Sequence, residues 1–191
     1  MERRQAIKAL LASIGVAASS QTLFRIAQAS QQNPPESQLW FREDQLELIK
    51  QFSEIILPET SSPGATTLKL HYFVDIMVKE TLGKQKQRLF LNGLTLFQKA
   101  LPTNDTEHKT PQLCVNYLSH FFSLPHTQLE EYQNFDALPL KKIPANKKAH
   151  YYQYAFLSTL KTLLVIGFFT HENVANILRD PKDYPVMYQP G

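Results

Sequence analysis

The sequence of 191 residues has a single cysteine, Cys114. That excludes an internal disulfide, a thiolate zinc cluster and a CxxCH haem attachment. Set in the apolar stretch LCVNYL, the thiol reads as a small buried hydrophobe. Charge is scarce as well, at 19% of residues against the usual share of about a quarter, so large surfaces are expected to be covered by something else. The formal charge of +3 belongs to the amino terminus. Without residues 1–29, which carry Arg3, Arg4, Lys8 and Arg25 against Glu2, 16 basic residues face 16 acidic ones. A neutral body has no electrostatic footprint for nucleic acid, and no such partner is expected.

Motifs of chemistry are missing too. There is no GxGxxG, no phosphate-cradling GxxxxGK and no GxSxG elbow. The histidines are His71, His108, His120, His126, His150 and His171, and no two share the i, i+4 spacing of a helical metal motif. His171-Glu172 is half of HExxH without its second histidine. Accordingly no catalytic, cofactor-binding or metal-binding residue is assigned in this chain. Lys141-Lys142 and Lys147-Lys148 read as solvated charge.

What is present is apolar and aromatic: 43% hydrophobic residues, with 12 Phe and 8 Tyr, enough for the core of one domain. Residues 1–29 read as an export leader. A basic head (Arg3, Arg4, Lys8) precedes a moderately apolar run, and Ala27-Gln28-Ala29 supplies a small-x-small cleavage pattern. Arg3, Arg4, Ile7 and Lys8 resemble the twin-arginine export signal, whose substrates cross folded. The alternative is an ordinary amphipathic first helix. Residues 30–39, polar with a Pro pair, read as a linker, leaving 40–191 as the helical domain.

Apolar spacings of three and four predict helices over 44–57, 68–82, 84–101, 111–122 and 128–135, with the longest over 146–169. Trp40 and Phe41 should fold back on the first turn of the first of these. The run LSTLKTLLVIGFF is nearly all apolar, but Lys161 and its short length favour a central core helix over a membrane span. Asp136 to Pro144 reads as irregular, and the tail from Asp180 to Gly191 as a surface strap anchored by Tyr184, Met187 and Tyr188. With no strand-like alternation, the expected fold is all-α: one helical domain of about five to seven helices after the leader.

Between the first two body helices lies IILPETSSPGA, residues 55–65. Pro58 and Pro63 stop the helix, Gly64 is suited to positive φ, and Ser61, Ser62, Thr66 and Thr67 are candidate caps for the next helix. Glu59 is expected to bracket the turn. The corner is read as a helix-to-helix bend, or else as a partner-facing loop.

Three features together resemble the gluconate 2-dehydrogenase subunit 3 family: the arginine-pair leader, this corner and the late segment GFFTHE. In the corner, Pro58, Glu59, Thr60, Pro63, Gly64 and Ala65 match a Pro-x-Thr-Asp-Thr-Pro-Gly-Ala pattern, with Ser61 in place of Asp. Gly167, Phe168, Phe169, Thr170 and Glu172 match a Gly-aromatic-Phe-Thr-Ser-Glu pattern, with His171 in place of Ser. The resemblance implies an accessory subunit, not an enzyme by itself, with no redox cofactor of its own. Its implied partners are a large flavoprotein (GMC-type) dehydrogenase carrying FAD, a cytochrome c subunit carrying haem c, and the twin-arginine translocase. It implies a periplasmic location and a partner interface that includes Pro58, Glu59, Thr60, Pro63, Gly64, Gly167, Phe169, Thr170 and Glu172. A reading from another class is a stand-alone periplasmic binding or hydrolytic domain using Glu59, Asp75 and a histidine such as His71 or His171.

Overall fold

The computed structural model describes residues 3–16, 19–101 and 109–177. Among these every regular element is helical, as the periodicity predicts. The segment read as a leader, with the first residues after it, forms α1 (Arg3–Ser13) and α2 (Ser20–Gln31). The body follows as α3 (Glu43–Ile56), α4 (Leu70–Thr81), α5 (Lys84–Ala100), α6 (Lys109–Phe122), α7 (His126–Asp136), α8 (Ala145–Thr170) and α9 (Glu172–Ile177). Single 3₁₀ turns occupy Glu36–Gln38 and Leu140–Lys142. The proposed tail strap and His108 lie outside the described residues.

α8 is the axis of the molecule, packed against α1, α2, α3, α4, α5, α6 and α9. Its length and composition would suffice to cross a membrane, yet it lies inside the fold. Phe156, Leu157, Leu160, Leu163, Leu164 and Ile166 are fully buried along its inward-facing side. Lys161 escapes to the surface, with its ammonium 4.6 Å from the centre of the Phe122 ring. The tightest crossing is with α5. A Cβ on Gly93 would lie 2.2 Å from the Tyr152 carbonyl oxygen and 2.5 Å from Phe156 Cβ, so only glycine admits that approach. Around it, Phe156 meets Phe90, Phe97 and Phe52 at ring separations of 4.7, 5.6 and 5.9 Å.

Helix ends are closed by side chains, some local and some from a neighbouring helix. Gln87 of α5 is buried and donates to the carbonyls of Val78 and Lys79, two of the orphan acceptors ending α4. Before α3, the Arg42 amide donates to Gln45 Oε1 at 3.2 Å. Phe41 and Leu46, both buried, flank this turn in the positions of a hydrophobic staple, which is the fold-back expected of Phe41.

Candidate functional site

The corner is built as a closed loop with its base inside and its tip outside. The Ala65 amide donates to the Leu57 carbonyl at 2.8 Å, joining the loop's ends. Pro58, Glu59, Thr60 and Ser61 are exposed, whereas Gly64, Ala65, Leu68 and Leu70 are buried. Gly64 is needed for space rather than for positive φ: a Cβ there would sit 2.6 Å from the Glu59 amide nitrogen. Glu59 brackets the turn by accepting from the Thr67 hydroxyl. Glu54 of α3 accepts from the Thr66 amide at 3.1 Å, and its hydrogen bonding to Thr66 holds its carboxyl below the usual range.

One expectation fails here. None of Ser61, Ser62, Thr66 or Thr67 caps α4; the cap position is Lys69, in the left-handed region at φ 53°, with no side-chain capping bond. The chain instead reaches α4 through local backbone turns, Leu68 donating to Gly64 and Leu70 to Ala65. The Thr67 hydroxyl goes to Glu59, and the Ser62 hydroxyl pairs with that of Thr60 at 3.4 Å.

The second motif divides the same way. Gly167 is buried, and a Cβ there would press on Phe73 Cδ1 at 2.8 Å and Leu70 Cδ2 at 3.2 Å. This packing brings the end of α8 against the start of α4, directly after the corner. Thr170 turns its hydroxyl back to the Ile166 carbonyl at 2.8 Å. His171, buried, accepts from the Asn173 amide at 3.2 Å, and burial lowers its pKa. Phe169, edge-on to Phe168 at 5.4 Å, and Glu172 are left exposed. Of the nine interface candidates, then, Pro58, Glu59, Thr60, Phe169 and Glu172 face solvent, Pro63 and Thr170 are half-buried, and Gly64 and Gly167 shape the backbone.

The residues of the hydrolytic alternative do not converge. Asp75, 1% exposed, takes the amides of Trp40 (3.0 Å) and Phe41 (2.8 Å), stapling the segment before α3 to α4. Burial pushes its carboxyl up while those two amides pull it back. His71 is one turn earlier on α4, with Nδ1 buried and unpartnered; burial and then the charge of Lys50 push its pKa down to about 4. Asp75 lines a groove of about 590 Å³ with Gln38, Ile76 and Lys79, and His71 a different one of about 330 Å³ with Arg42, Glu47 and Lys50. Neither groove contains Glu59 or His171. Among the described residues no three His, Cys, Asp or Glu side chains form a metal-binding group.

The sequence reading missed one polar network. Gln128 donates to the Tyr132 hydroxyl at 3.0 Å, that hydroxyl bonds His150 Nδ1, and His150 Nε2 meets His120 Nε2 at 2.9 Å. It ties α6, α7 and α8 together across 30 residues of chain, so no local spacing announces it.

This geometry is that of a helical protein whose family-type features are solvent-facing edges on a packed base. Residues 43–111, from the start of α3 into the first turn of α6, match the family model described as gluconate 2-dehydrogenase subunit 3. That segment, which contains the whole corner, is similar to the gluconate 2-dehydrogenase subunit 3 family, as the corner motif led one to expect. No curated protein and no solved structure matches the chain.

Proposed function

We propose that this protein is a non-catalytic accessory subunit of a periplasmic flavin-dependent dehydrogenase complex acting on sugars or sugar acids. In this reading it supports folding and stability of the catalytic subunit and carries it through the twin-arginine route on its own signal, Arg3, Arg4, Ile7 and Lys8. FAD, and haem c where a cytochrome subunit is present, belong to the partners. The family match over residues 43–111 carries the proposal. The exposed tip of the corner and exposed Phe169 supply surface of the kind partners contact, an aromatic anchor among polar groups. The hydrolytic alternative gains nothing from Asp75, whose oxygens are occupied by backbone amides.

A gentle pull-down of the C-terminally tagged chain from its native host tests this. The expected eluate contains a flavoprotein of dehydrogenase size with flavin absorbance, and that flavoprotein leaves the periplasm when Arg3 and Arg4 are both changed to Lys. A lone monomer without chromophore or partner would refute the reading.

A further inference from the structure

The leader region does not hang from the body; it completes the core. Leu11, Ile14 and Val16 around the end of α1, and Leu23, Ile26 and Ala27 on α2, are buried in one continuous cluster with Phe73, Val74, Met77, Leu163 and Leu164. α2 packs on α4 and α8, and α1 on α8. Ser19 caps α2 through the Thr22 amide at 3.1 Å, so this helix has its own start signal. The chain that follows is clamped to the body as well. Lys69 donates to the Gln31 carbonyl, Lys79 to the Gln38 carbonyl, and the Trp40 and Phe41 amides are held by Asp75.

The cleavage pattern lies on the helix that this clamp holds, with Gln28 and Ala29 exposed and the residues on either side of them buried. Ala27-Gln28-Ala29 lies within the last two turns of α2. Ala27 is 4% exposed and Ser30, just past the scissile bond, 2%. The Ser30 hydroxyl donates to the Ala27 carbonyl at 2.8 Å, and the Gln32 amide to the Ala29 carbonyl at 3.3 Å. A peptidase that reads small side chains on either side of an accessible bond needs the backbone extended and those side chains free. Here the backbone is helical and Ala27 is packed away.

We propose that in the mature protein α1 and α2 are part of the folded domain, and that their docking shields the Ala27-Gln28-Ala29 pattern from cleavage, so that the protein works with its leader attached. This goes beyond the accessory-subunit reading and stands or falls separately from it, because export is read from the compartment and retention from the mass and the stability.

The first test is the intact mass of the tagged protein recovered from the periplasm of its native host. Retention predicts the whole chain of 21.9 kDa plus the tag, whereas a product beginning at Ser30 overturns the proposal. The second test keeps the full chain and applies in any compartment. Leu23→Asp places a charge in the buried face of α2, and Phe24→Asp places one on its outer face, where Phe24 is 59% exposed. A structural leader predicts a fall in Tm of about 5–10 °C for Leu23→Asp and little change for Phe24→Asp. Equal Tm values for Leu23→Asp and the unaltered protein would overturn the proposal, since a detached leader would not feel the charge.

Discussion

The two halves of α8 bury themselves by different means. Toward its C-terminus, Leu160, Leu163, Leu164 and Ile166 enter the main cluster beside Phe52, Phe73 and Leu94, and side-chain volume is the main requirement. Toward its N-terminus, Tyr151 and Ala155 join Tyr132, Phe135, Ile143 and Leu89 in a smaller cluster in which two of the three rings carry hydroxyls. Each hydroxyl has to be given a partner. Tyr151 donates to Asp136 at 2.7 Å, which also takes Lys86 at 2.9 Å, and Tyr132 is shared between Gln128 and His150. The apolar half is therefore governed by packing and the aromatic half by polar satisfaction. The first fails through cavities and overlaps, the second through single lost bonds.

The largest effect is expected where the halves meet. Phe156→Ala removes a fully buried ring that touches Phe52, Phe90 and Phe97, and should cost about 3–5 kcal/mol in urea unfolding. A cost near that of a surface substitution would show that the aromatic cluster is not the centre of the core.

A titratable group beside the apolar core gives the next effect. The unfolded chain takes up a proton on His71 near pH 6.5, the folded one only near pH 4. The unfolded state thus binds more protons between those values, and stability falls as pH drops from about 6.5 to about 4. The loss integrates to about 3 kcal/mol. His71→Gln should flatten the decline of the urea midpoint over that range; an unchanged slope would mean that His71 is not held neutral.

Overlap is tested at Gly93. Gly93→Ala forces a Cβ onto the Tyr152 carbonyl oxygen and should cost about 1–3 kcal/mol, with α5 pushed off α8. Gain of stability there, through reduced chain freedom in the unfolded state, would show that the crossing is looser than its geometry. The smallest effect belongs to the aromatic half: Tyr151→Phe removes one hydrogen bond while Asp136 keeps Lys86, and should cost about 1 kcal/mol. A cost as large as that of Phe156→Ala would erase the distinction between the two halves.

Much of the helical frame was legible. The helix expected over 146–169 is Ala145–Thr170, and that over 84–101 is Lys84–Ala100, because apolar spacing is a property of neighbours in the chain. The start of α4 was less so: a left-handed Lys69 reaches it two residues later than expected, and nothing in the local sequence signals such a turn. At the candidate site, the closed corner and the role of Glu59 in bracketing it could be read from its prolines, glycine and hydroxyls. The role of Asp75 could not, since its partners Trp40 and Phe41 are 35 and 34 residues away. Gly93 and the His120–His150 link were missed for the same reason.

The sequence by itself determined the all-α class, the succession of body helices from α3 to α8, and the corner with its family resemblance. Each depends on backbone propensity or on apolar groups a turn apart, interactions that hold within a few residues. Only the tertiary structure decided which helices α8 packs against and that its lysine turns out, that Asp75 is a backbone clamp, and that α1 and α2 share the core. Those outcomes depend on which surfaces meet, and burial is decided by partners that lie far apart in the chain.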